Sequence, residues 1–86
     1  MALEIVWSEK ALRDLKSVDH QDAKQIVKKI QQAAANPEHY VERLTGYDDA
    51  KIRAGDYRII VVLDNPRNKL LIERVGHRKN VYNKLK

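Results

Sequence analysis

With 86 residues, 34% of them charged and 43% hydrophobic, the chain has room for one soluble globular domain, residues 1–86, with a modest core. It has no cysteine, which excludes disulfides and thiolate metal sites, and no apolar run near the roughly 20 residues of a membrane span. The net charge of +5 is unevenly spread: residues 1–50 hold seven Lys or Arg against nine Asp or Glu (−2), and residues 51–86 hold ten against three (+7).

Met1 to Trp7 is too short for a signal peptide, and a cysteine-free chain fits the cytoplasm. Leu3, Ile5 and Trp7 alternate with Ala2, Glu4 and Val6, the pattern of a strand with one buried face, and Trp7 closes that face as a core residue. Ser8 is placed to cap a helix whose apolar positions are Ala11, Leu12, Leu15 and Val18. Asp19 is placed to cap a second helix, with Asp22 in the capping-box position. Its stripe is Ala23, Ile26, Val27, Ile30, Ala33 and Ala34, and Asn36-Pro37 ends it. After His39-Tyr40 an irregular stretch runs to Asp49, anchored by Leu44 and turning at Gly46, with Tyr40 and Tyr47 packed against the loop.

Next comes a hairpin: Ala50 to Ala54, a turn at Gly55-Asp56, and Tyr57 to Leu63. Ile59 to Leu63 is the most β-prone run and belongs at the centre of the sheet. Asp64 to Asn68 is a turn, and a last strand opens at Leu70-Leu71-Ile72 and ends near Gly76. Residues 78–86 form a short C-terminal helix or tail. The order predicts an α+β fold: an N-terminal strand, then a two-helix hairpin packed on one face of a mainly antiparallel sheet with a three-strand meander.

The basic half reads as a surface for a polyanion, whether nucleic acid or an acidic protein. Lys51 and Arg53 share a strand face, and Arg58 joins them if the hairpin register allows. Arg74, His77, Arg78, Lys79, Tyr82, Lys84 and Lys86 gather around Gly76. Arginine, lysine, histidine and tyrosine together suffice for RNA cleavage without a metal. The ribose 2′-hydroxyl attacks the adjacent phosphate, a base takes its proton, cations hold the developing charge, and an acid protonates the leaving 5′-oxygen. Arginine suits the phosphate because its planar fork holds two oxygens. His20 and His39 stand alone, without metal-ligand spacing, and no cofactor is called for.

Lys51-Ile52-Arg53-Ala54-Gly55-Asp56-Tyr57-Arg58 before an aliphatic strand, and Val75-Gly76-His77-Arg78-Lys79-Asn80-Val81-Tyr82 after it, resemble the RelE/ParE toxin superfamily, more closely its RelE branch. The likeness spans nearly the whole chain. It implies a toxin of a type II toxin–antitoxin pair, a metal-independent mRNA endonuclease acting in the ribosomal A site and held inactive by a cognate antitoxin. Its partners would be that antitoxin, the ribosome and mRNA, and operator DNA only through the antitoxin.

By motif, Arg58 matches the active-site arginine of the Gly-x-Tyr-Arg segment, Arg78 the arginine after the strand-ending glycine, and Tyr82 the catalytic tyrosine. Lys51 matches one lysine of a family pair, and the other falls near Asp49, a departure that shifts the base role. Tyr82 would be a base or a ring stacked on a nucleobase. His77 joins the catalytic set, whose unperturbed pKa of ~6.5 suits a base, and Lys51, Arg53, Arg74, Lys79 and Lys84 contact RNA. Two other functions fit the same fold: a ParE-like inhibitor that binds DNA gyrase, or a silent antitoxin- or RNA-binding module if Asp49 disables the site.

Overall fold

A computed structural model of the chain describes residues 2–43 and 49–80. Five strands form one sheet: β1 (Glu4–Trp7), β2 (Val41–Arg43), β3 (Ala50–Ala54), β4 (Tyr57–Asp64) and β5 (Lys69–His77). Their spatial order is β1-β5-β4-β3-β2, so the aliphatic β4 is central, as its composition predicts. β3, β4 and β5 make the expected antiparallel meander, and β1 adds to its edge parallel to β5, with Trp7 opposite Ile72.

The helices are α1 (Glu9–Lys16), α2 (His20–Ala35) and the single turn α3 (Pro37–Tyr40). Ser8 caps α1 as predicted, its hydroxyl accepting the Ala11 N–H at 3.0 Å. Asp19 does not cap α2 with its side chain. Its carbonyl instead accepts the Ala23 N–H at 2.8 Å.

Ile26, Ile30, Ala33 and Ala34 of α2 enter one core with Ala11, Ala50, Ile52, Ala54, Ile59, Val61, Leu70, Ile72 and Val75. All the core residues of β3 lie at alternate positions, so the helices cover one face of the sheet. Ala23 and Val27 depart from the predicted stripe. They are half-buried and, with His20, Lys24, Lys28 and Gln31, line a shallow outer groove of about 360 Å³. Leu12 is also turned outward, 43% exposed.

Two elements differ from expectation between Asn36 and Asp49. Proline restarts a helix as readily as it ends one, because its missing N–H has no partner in a first turn. Pro37 accordingly opens α3 rather than a loop. Val41–Arg43 then pairs antiparallel with β3, Glu42 standing opposite Lys51. The predicted features at Leu44, Gly46 and Tyr47 lie outside the described residues. So does most of the expected C-terminal helix or tail, of which Arg78 to Asn80 form a turn. Among the described residues no helix is long and apolar enough to cross a membrane.

Candidate functional site

Cross-strand partners in an antiparallel pair project from the same face. The register aligns Glu42, Lys51, Ile60 and Arg74 in one row, and Arg53, Arg58 and Gly76 in the next. These rows lie on the sheet face opposite the helices, since Ile52 and Ile59, one residue away, are core. Lys51, Arg53, Arg58 and Arg74 are thus brought together from three strands. Ile60 sits among them, fully buried yet outside the main core cluster.

Lys51, Arg53 and Arg58 each meet a partner on the sheet or its hairpin turn. Arg53 and Arg58 stand directly opposite each other, a repulsive pairing. Arg58 turns back over its own hairpin, where Nη1 donates to the Gly55 carbonyl at 2.7 Å and the Tyr57 carbonyl at 2.8 Å. The turn has this shape because Gly55 adopts φ +62°, a left-handed conformation that costs glycine little. Glu42 spans Lys51 and Arg53. One carboxylate oxygen lies 3.6 Å from Lys51 Nζ and the other 3.8 Å from Arg53 Nε. The Lys51 side chain is only 19% exposed.

Arg78 follows β5 and is tied to the same hairpin turn. Its N–H donates to the Asp56 carbonyl at 2.8 Å, and its Nε lies 3.9 Å from the Asp56 carboxylate. The two motif arginines are therefore anchored to adjacent positions of one turn, Gly55 to Tyr57. His77 stands apart from them. It pairs with Tyr57, so it projects from the helix-side face, its ring edge-on to the Tyr57 ring at 5.8 Å. Its Nδ1 accepts the Lys79 N–H at 3.2 Å, and the Lys79 side chain is exposed. Tyr82 and Lys84 lie outside the described residues.

Two carboxylates within this cationic site were not among the predicted site residues. Glu42 is one. Glu73 is the other, with Asp49 and Arg74 near enough to act on its carboxyl. Burial raises the Glu73 pKa above the ordinary glutamate value, the Asp49 hydrogen bond and charge add to the rise, and the Arg74 charge opposes it. A signal for Glu73 was present in the sequence. The apolar core positions of the last strand fall at Leu70, Ile72 and Val75, a step of two and then three, which marks an inserted residue.

A family model described as the ParE toxin of type II toxin–antitoxin systems, parDE, matches residues 5–82. No curated protein matches the chain. Three solved structures are similar. A RelBE toxin–antitoxin complex from Mycobacterium tuberculosis shows 21% identity and a TM-score of 0.81, over 91% of this chain and 100% of that one. A RelB–RelE antitoxin–toxin complex from Methanococcus jannaschii shows 25% identity and a TM-score of 0.72, over 90% and 94%. The isolated RelE toxin of E. coli shows 23% identity and a TM-score of 0.77, over 98% and 95%.

Proposed function

Because the chain belongs to the ParE toxin family of type II toxin–antitoxin systems, within the RelE/ParE superfamily, we propose that it is a ribosome-dependent endoribonuclease cleaving mRNA in the A site. The observation that carries this reading is the gathering of Lys51, Arg53, Arg58 and Arg74 on the open sheet face, with Arg78 anchored at the turn beside them. A purely electrostatic binding surface needs no such fixed arginines. A phosphorane does, because preorganised donors lower its energy without reorganising during the reaction.

In this reading Arg58 and Arg78 grip the scissile phosphate, while Lys51, Arg53 and Arg74 track the flanking backbone. Tyr82 acts as a base or stacks on a nucleobase. His77, projecting from the other face, holds the strand end against Tyr57 rather than entering the reaction. The ribosome supplies the placement that 86 residues cannot provide. A cognate antitoxin is the natural partner, since the similar toxins from M. tuberculosis and M. jannaschii are complexed with theirs.

A second reading, inhibition of DNA gyrase by binding, is favoured by the ParE description of the matching family. Cleavage of a defined mRNA in programmed ribosomes, mapped by primer extension, separates the two. Wild type should cut within the A-site codon, and Arg78→Ala and Tyr82→Phe should not. Intact mRNA together with lost gyrase supercoiling would give the second reading instead.

A further inference from the structure

We propose that His77 is the positioning residue of Arg78: its imidazole, edge-on to Tyr57, accepts the Lys79 N–H and so fixes the turn that carries the arginine. The role rests on the endonuclease reading, in which Arg78 grips the scissile phosphate and His77 touches no reacting atom.

The need for such a residue follows from how the last strand ends. Tyr57 and His77 close the β4–β5 ladder, and the chain leaves the sheet after them. Arg78 extends the ladder by one bond, its N–H donating to the Asp56 carbonyl at 2.8 Å. Its guanidinium is held more loosely: Nε lies 3.9 Å from the Asp56 carboxylate, and both side chains are mostly exposed. A contact of that kind orients a side chain weakly. The course of the main chain therefore decides where the guanidinium can reach. Donors lower the energy of a phosphorane most when that course is set beforehand.

His77 fixes the course twice. Its carbonyl accepts the Asn80 N–H at 2.9 Å, which closes a four-residue turn with Arg78 and Lys79 at the centre. Its Nδ1 accepts the Lys79 N–H at 3.2 Å. The main-chain amides of residues 78, 79 and 80 are thus all engaged, and two of those bonds end on His77. A side-chain acceptor two residues before the amide it holds is the arrangement by which asparagine and aspartate set turns. The Tyr57 ring, 5.8 Å away at an interplanar angle of 73°, limits the swing of the imidazole that aims Nδ1 at the amide.

That bond needs a neutral ring. Nδ1 accepts only when it carries no proton, so the ring hydrogen sits on Nε2. Uptake of a second proton makes Nδ1 a donor facing a donor, and the bond to Lys79 is lost. The titratable and charged groups on the elements around the ring are Tyr57 of β4, Asp56 of the hairpin turn, Asp14 of α1 with its partner Lys10, and Arg78 and Lys79 of the same turn.

Single-turnover cleavage in programmed ribosomes compares two variants. His77→Phe keeps a ring against Tyr57 but no acceptor, and His77→Asn offers an Oδ1 to the Lys79 N–H. His77→Phe should cut roughly 10- to 100-fold more slowly, the scale expected when a gripping group is displaced. His77→Asn should recover most of that loss. Equal losses in the two variants, or a wild-type rate in His77→Phe, would overturn the proposal. The ratio of wild-type to His77→Asn rates, followed from about pH 8.5 to about pH 5.5, should fall as the ring takes up its proton, monitored by its own NMR shifts. Groups common to both proteins cancel in that ratio, and a flat ratio while the ring protonates would overturn the acceptor's role. Hydrogen exchange at the Lys79 amide needs no ribosome. It should quicken in His77→Phe and stay near wild type in His77→Asn, and equal exchange in the two would overturn the turn itself. No cleavage by the wild type at any pH would overturn the endonuclease reading, and the positioning of Arg78 for cleavage with it.

Discussion

Arg53 and Arg58 occupy facing positions, a pairing that costs stability unless one charge is led away. The two carbonyls of the β3–β4 turn do this for Arg58, and Glu42 does it for Arg53. Glu42 spans Lys51 and Arg53 much as two oxygens of one phosphate would, so it competes with RNA for them. Glu42→Gln is expected to tighten binding of a short single-stranded RNA several-fold and to steepen its salt dependence, because the released cations then exchange counterions with the strand. Unchanged affinity and slope in a titration at two salt concentrations would contradict this. Asp56 acts differently. Its contact with Arg78 joins side chains that are 71% and 55% exposed, so Asp56→Ala should shift stability by less than about 1 kcal/mol. Cleavage should nevertheless fall several-fold, because Arg78 loses the side-chain half of its anchor while the backbone bond to the turn survives. A large loss of Tm in that variant would show that the contact is structural instead.

The common face of Lys51 and Arg53 was legible because strand alternation needs no tertiary information, and Gly55-Asp56 set the register that adds Arg58. His77 was not placed so well. Side by side in sequence with Gly76 and Arg78, it looks like their companion, but one step along a strand reverses the face. Glu73 was not counted among the site residues, because the bulge that turns it to the open face is a property of two strands at once.

At the scale of elements, that bulge explains why α1 sits where it does. β1 pairs with β5 only as far as Ile72, and beyond it the edge of β5 carries main-chain groups with no strand partner. Ser8 and Asp14 supply the missing donor and acceptor, so the helix cap and the helix body both stitch the edge. Asp14→Ala should therefore destabilise the domain by about 1–3 kcal/mol, the usual consequence of leaving a buried N–H without its partner. Amide exchange at Val75 should accelerate by more than global unfolding explains. Exchange that tracks the global change alone would argue against a local support. The hairpin turn offers a second case. A Cβ at Gly55 would meet only the Gln25 carboxamide at 3.5 Å, ordinary contact, so Gly55→Ala is charged with the left-handed backbone alone, roughly 1–2 kcal/mol.

The elements that periodicity announced, β1, α1, α2 and the meander, appear where expected. The parallel attachment of β1 beside β5 did not follow from its own four residues, since pairing direction depends on how the helices return the chain. α3 and β2 are too short, at four and three residues, for any period to register. β2 exists because the exposed edge of β3 offers it a ladder.

For the molecule as a whole, the partly buried Glu73 makes one part of the stability fall as pH rises. The folded Glu73 binds its proton more tightly than the unfolded chain does, with burial as the main cause and the Asp49 carboxyl adding to it. The stability belonging to this group is therefore complete in acid, where both states hold the proton. It falls as pH rises from the ordinary glutamate range through the raised value, because the native state is then the one holding more protons. At neutral pH the domain carries the cost of a partly buried, ionised Glu73. Glu73→Gln keeps the shape and hydrogen bonding of the protonated form without the charge. Its Tm should match wild type near pH 4 and exceed it by a few degrees near pH 7.5, about 4–8 °C corresponding to 1 kcal/mol in a domain of this size. Taking the difference between the two proteins at each pH removes the contributions of the titrating groups that both share. A difference that stays flat across the range would mean that Glu73 ionises freely.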